Sequence, residues 1–145
     1  MVCTFFGHRD CYGLDTNLLQ TAIEDAISKG ADKFYVGNQG YFDNMAIKCL
    51  TKLKCKHKSI SFFVVLAYLP TQKHIYDPYY DISIYPEGLE RVPQKFAIEK
   101  RNNWLIDNSD YCIAYVKYTW GGAYKFASRA KKKGLTVVNL GDMEL

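Results

Sequence analysis

The chain has 145 residues, 48% hydrophobic and 23% charged, which suits one globular domain burying about two-thirds of its unfolded surface and argues against a disordered chain. A formal charge of +4 lacks the dense basic stripe of a nucleic-acid domain and fits a small anionic ligand equally well. Five cysteines without a C-x-x-C pair favour reduced thiols over a disulfide framework or zinc site.

The chain opens on a strand pattern, Val2 to Phe6, with no basic and apolar leader before it. The longest apolar run, Phe62 to Leu69, is far short of a membrane span. A cytoplasmic protein is the expectation. Leu18, Leu19, Ala22, Ile23, Ala26 and Ile27 then recur at helical spacing between a polar Asp15-Thr16-Asn17 start and Gly30 as a C-cap glycine. Asp32 to Val36 reads as a strand. The turn Gly37 to Asp43 leads into a helix carried by Met45, Ala46, Cys49, Leu50 and Leu53.

Lys48, Lys52, Lys54, Lys56, His57 and Lys58 are the densest basic run, and they suit a solvated helix end more than a polyanion patch. Ser61 to Leu69 reads as a central strand buried on both faces, ended by Pro70. From Thr71 to Pro93 the pattern lapses into a long tyrosine-rich loop, either a lid over a site or a surface excursion. Gln94 to Asn108 reads as a helix, Tyr111 to Val116 as a strand, Gly122 to Lys133 as a helix and Leu135 to Leu140 as the last strand. The alternation predicts an α/β, Rossmann-like three-layer fold spanning residues 1–145, with a mainly parallel five-stranded sheet and helices on both faces.

In such a sheet ligands bind beyond the carboxyl ends of the strands, where helix N-termini suit phosphate. Three loops there carry unusual residues: Gly7-His8-Arg9, Gly37 to Asp43, and Trp120-Gly121-Gly122-Ala123. Gly121 and Gly122 would let backbone amides approach a phosphate closely. Gly37 and Gly40 could bring backbone near a ribose or base. Asp43 either offers a carboxylate there or caps the following helix. His8 and Arg9 suit anion recognition, although His8 alone is as well explained structurally. Arg101 shares the apolar face of its helix and needs a partner, which is Asp107, Asp110 or a ligand phosphate. No serine-hydrolase elbow, P-loop, zinc-protease or zinc-deaminase pattern is present, and neither a metal nor a cofactor is expected.

Cys3-Thr4-Phe5-Phe6-Gly7-His8-Arg9, Gly37-x-x-Gly40-x-x-Asp43, Tyr85-Pro86-Glu87-Gly88-Leu89, Arg101-Asn102-x-Trp104, Ser109-Asp110 and Trp120-Gly121-Gly122-Ala123 occur in an order that resembles the SLOG superfamily. That superfamily includes LOG phosphoribohydrolases, the DNA-processing protein DprA and sensor domains of antiviral defence systems. The chain looks most like its short, stand-alone bacterial and phage branch. The resemblance implies a nucleotide pocket holding Gly7, His8, Arg9, Gly37, Gly40, Asp43, Arg101, Asn102, Gly121, Gly122 and Ala123, and a homo-oligomer.

LOG enzymes carry P-G-G-x-G-T-x-x-E. With the paired glycines on Gly121 and Gly122, the positions of Pro, Gly, Thr and Glu hold Trp120, Tyr124, Lys125 and Ser128. A glycosidase would therefore need Asp43 or Glu87 as its carboxylate. The expected function is binding of a nucleotide-derived signal, for example an ADP-ribose derivative, as a sensor or sequestering protein; the alternative is a nucleotide N-glycosidase. Membrane association is not expected, and nucleic-acid binding has only the net charge and the lysine run in its favour.

Overall fold

Alternating apolar residues along the first strand divide the molecule into two packed layers around one sheet. The computed structural model describes residues 1–69 and 81–145. Its elements are β1 (Val2–Gly7), α1 (Thr16–Ser28), β2 (Lys33–Val36), α2 (Tyr41–Lys56), β3 (Ser61–Val65), β4 (Ile82–Ile84), α3 (Ala97–Asp107), β5 (Tyr111–Tyr115), α4 (Gly121–Lys132) and β6 (Thr136–Asn139). Short 3-10 turns at Leu89–Arg91 and Gln94–Phe96 precede α3.

The strands form a six-stranded sheet in the order β4-β3-β2-β1-β5-β6, and every neighbouring pair is parallel. Cys3 and Phe5 of β1 join Leu19 and Ile23 of α1 and Leu50 and Leu53 of α2 on one face. Phe6 points into the opposite cluster with Leu105 of α3 and Phe126, Ala127 and Ala130 of α4. This follows from the two-residue period of a strand, which sends successive side chains to opposite faces. Five consecutive buried residues in β5 are what a central parallel strand covered on both faces requires.

The sheet has six strands where five were expected. The extra strand, Ile82–Ile84, lies inside the stretch read as an aromatic loop and pairs with Phe63 to Val65 at the edge. Ile82 is 47% exposed, and an edge strand of three residues gives too little alternation to be read from sequence. β3 ends at Val65 rather than Leu69. Of the stretch read as a loop or lid, Thr71 to Pro93, residues 71–80 lie outside the described residues, while Tyr85 in the described part packs against the core.

Asp15 caps α1 by accepting from the Asn17 amide at 2.9 Å, the arrangement expected of an Asp N-cap. Within the basic run, Lys54 pairs with Asp81 and Lys56 approaches Glu24 at 3.8 Å. Both lysines stand in the last turn of α2, where cations complement the helix dipole. Among the described residues no helix is long and apolar enough to cross a membrane. All five cysteines are free thiols.

Candidate functional site

The chain runs outward from β1 through β2 and β3 to β4, then returns past β1 to β5 and β6. The switch in direction lies between β1 and β5, the place where an open parallel sheet leaves a crevice at its carboxyl end. A cavity of about 380 Å³ occupies that place, within the size range of small-molecule sites. Its wall takes Phe5 to Asp10 from the end of β1, Gly37, Gln39 and Asp43 from the β2–α2 turn, Ile98, Arg101, Asn102 and Leu105 from α3, and Tyr118, Gly121 to Ala123 and Phe126 around the start of α4.

Arg101 is the buried cation of this wall, only 3% exposed. Its Nη1 donates to the Val65 carbonyl at 2.9 Å and its Nε to Asn102 Oδ1 at 2.8 Å. Nη2 has no protein partner among the described residues, and neither does the Asn102 amide nitrogen. Neither sequence-stated partner serves: Asp107 pairs with Lys133 and Asp110 accepts from the Val2 amide. Burial lowers the Arg101 pKa while the nearby Asp43 carboxylate opposes that shift. A guanidinium stays charged even so.

Asp43 stands in the first turn of α2, 9% exposed, and accepts from the Gln39 amide at 2.9 Å. Of the two roles open to it in the sequence, it makes no cap hydrogen bond to α2 and instead ties down the preceding turn while lining the cavity. Burial pushes its pKa up to about 6, against the opposing pull of Arg101, the Gln39 hydrogen bond and Arg9. Gly37 makes the arrangement possible. A Cβ there would meet Arg101 Nη1 at 2.7 Å and Asp43 Oδ2 at 2.8 Å, so the missing side chain is the space between cation and carboxylate.

His8 is buried, and its Nε2 accepts the Lys117 amide at 2.9 Å. Burial lowers its pKa, so the ring is neutral near pH 7 with its proton on Nδ1. The Tyr118 ring stacks on His8 at 3.8 Å and 9°, and Trp120 stacks on Tyr118 at 4.2 Å and 23°. Arg9 is exposed at the cavity wall, with no ion pair among the described residues.

At the start of α4 no side chain caps the helix and no acidic residue lies in the first turn. Its free amides are therefore left to solvent or a ligand. Gly121 has φ +87, a left-handed conformation that glycine adopts without the strain of a Cβ. A Cβ on Gly122 would meet nothing within 4 Å.

Ten of the sequence-named residues thus line one cavity: Gly7, His8, Arg9, Gly37, Asp43, Arg101, Asn102, Gly121, Gly122 and Ala123. Gly40 and Glu87 do not. Gly40 is the φ +101 residue before α2, packed against Arg9, while Glu87 is exposed outside the wall. Sequence reasoning missed Val65, whose carbonyl carries no residue-specific signal, and Gln39, which acts through its backbone. It also missed Tyr118, which its placement two residues before Trp120 could have flagged, because such residues share a side in extended chain.

No family model and no curated protein matches the chain. Among solved structures, DNA processing protein A (DprA) from Streptococcus pneumoniae is similar with a TM-score of 0.67 at 16% identity. The likeness is one of fold. It covers 94% of this chain and 49% of DprA, so the chain spans about half the length of that protein. The Rossmann-like α/β fold expected from the sequence is the fold found, with six parallel strands rather than five.

Proposed function

We propose that this protein binds a small nucleotide-like ligand through its phosphate, as a sensor or sequestering protein. The observation that carries the reading is Arg101: a cation 3% exposed, with one guanidinium nitrogen unpartnered among the described residues, in the same cavity wall as the uncapped start of α4. A buried charge without an ion pair is costly, and a phosphate between Arg101 and the α4 amides would offset that cost with charge-assisted hydrogen bonds. Asn102 and the Nδ1–H of His8 add donors for phosphate or sugar oxygens. The ligand class includes nucleotide-derived signals such as ADP-ribose derivatives, in keeping with a short stand-alone bacterial or phage SLOG protein in cytoplasmic defence signalling, acting as a homo-oligomer.

One observation favours a second reading, nucleotide N-glycosidase. Asp43 is a buried carboxylate in the cavity with a pKa of about 6, suited to general acid–base work near neutral pH. Glu87, exposed and outside the wall, lends this reading no support, and Ser128 cannot carry the missing charge. The DNA-related role in DprA's name stays with DprA.

The test mixes stoichiometric protein with nucleotides and ADP-ribose derivatives, removes unbound compound, and identifies what denaturation releases by mass spectrometry. Recovery of an intact phosphate-bearing compound is the expected result. Free base plus sugar phosphate would favour the glycosidase, and recovery of nothing would overturn both.

A further inference from the structure

Between β5 and α4 the chain builds a feature that phosphate binding does not use. His8, Tyr118 and Trp120 form a continuous stack of three rings, with spacings of 3.8 and 4.2 Å and tilts of 9° and 23°. One end, His8, is buried and fixed by the Lys117 amide. The other end, Trp120, is 67% exposed, and Tyr118 is its ring partner among the described residues. One indole face is therefore covered and the other is open.

An isolated exposed apolar residue needs no explanation, but a mobile surface side chain gains nothing from a built support. Here a buried histidine and a tyrosine hold the indole in a defined plane, which removes ordering cost from whatever stacks on it next. The location narrows what that is. Tyr118 and Gly121 both line the cavity, and Trp120, itself outside the wall, lies between them in the chain, about 3.8 Å in Cα spacing from Gly121. Trp120 is the residue at the N-cap of α4, so a flat group stacked on it is held by the residue directly before the free amides of that helix.

We infer that Trp120 is the base platform of this site: its open face stacks the planar base of a nucleoside phosphate, with purines preferred for their larger ring area. This rests on the phosphate reading for where the ligand's other end lies. The sugar and phosphate alone make no use of a ring face, whereas every nucleobase has one. Trp120 is thus a specificity-determining residue, selecting nucleotides over sugar phosphates.

The test compares wild type, Trp120→Phe and Trp120→Ser against AMP, GMP, CMP, UMP, adenosine and ribose 5-phosphate by calorimetry and tryptophan fluorescence. With Trp120 so exposed, both variants keep the fold, and Trp104, packed near Tyr35 at 5.2 Å, serves as the internal fluorescence background. The expected result is that AMP and GMP quench Trp120 emission and bind about tenfold or more tighter than ribose 5-phosphate. Trp120→Ser should erase that margin while leaving ribose 5-phosphate unchanged, and Trp120→Phe should restore part of it. An intact AMP margin in Trp120→Ser overturns the platform. If ribose 5-phosphate fails to bind but adenosine quenches Trp120, the platform stands and the phosphate reading falls. If no compound binds or quenches, both fall.

Discussion

The N-termini of α2 and α4 reach the same cavity from either side of β1, and they differ in the charge carried by their first turns. At α2 the protein supplies its own anion: Asp43, in the first turn, accepts the Gln39 amide and lies beside Arg101. Neither helix has a side-chain cap hydrogen bond, but α4 also lacks an acidic residue in its first turn, although the helix dipole is equally favourable to negative charge there. The first end is closed in charge: its own carboxylate is tied to the β2–α2 turn through the Gln39 amide and lies near Arg101. The second is an open end in the same cavity wall as Arg101, whose Nη2 has no partner among the described residues, and this pairing is what supports the proposed anion site.

Removing Arg101 breaks this comparison most severely. Arg101→Ala deletes two charge-assisted hydrogen bonds, to Val65 and Asn102, and leaves the buried Asp43 without its neighbouring cation. The expected loss is about 3 kcal/mol of stability in urea denaturation, with phosphate-bearing ligands weakened far more than the matching nucleosides. Equal weakening of both would make Arg101 a structural residue alone.

Asp43 gives the pH signature of the closed end. Its folded pKa of about 6 lies above the ordinary 3.8, so between those values the folded state holds the proton more tightly than the unfolded state. That contribution favours folding below pH 4 and is lost as pH rises through 6, a cost of up to about 3 kcal/mol. Asp43→Asn should therefore be more stable than wild type above pH 7, with the difference vanishing below pH 4. The lowered pKa of His8 works in the opposite direction, but it is common to both proteins and cancels in their difference. A pH-independent difference would place Asp43 outside the titrating set.

Gly37→Ala tests the gap between the two ends. Its Cβ would press on Arg101 Nη1 and Asp43 Oδ2 together, for an expected loss of about 1–3 kcal/mol. A urea midpoint equal to wild type would mean that both groups move aside freely.

Much of this contrast was legible in the sequence. The elements with strong periodicity, such as Leu18 to Ile27 and Ala123 to Ala130, lie where their patterns placed them, and the three glycine-bearing loops meet at one sheet edge because parallel topology leaves them no other place. What was not legible depends on groups without a residue-specific signature. The Val65 carbonyl as the partner of Arg101 is backbone, so the sequence offered Asp107 and Asp110 instead. Gly40 has the spacing of a ligand glycine, yet its φ of +101 serves the turn into α2. Glu87 depended on a loop path that spacing alone does not fix. The β4 edge strand escaped because Ile82-Ser83-Ile84 is too short to show a period.

The smallest expected change sharpens the contrast most. Gly122→Ala adds a methyl group that meets nothing within 4 Å in the first turn of α4. Stability should be unchanged or higher by under about 1 kcal/mol. Ribose 5-phosphate binding should nonetheless weaken, because the methyl group occupies space in front of the open amides.

The central claim is that an anion from outside completes the start of α4, and titration of 15N-labelled protein with ribose 5-phosphate followed by amide NMR tests it most directly. The account predicts saturable shifts at the Gly122 and Ala123 amides together with the Arg101 Nε–H. Shifts centred elsewhere, or none at millimolar ligand, would contradict it.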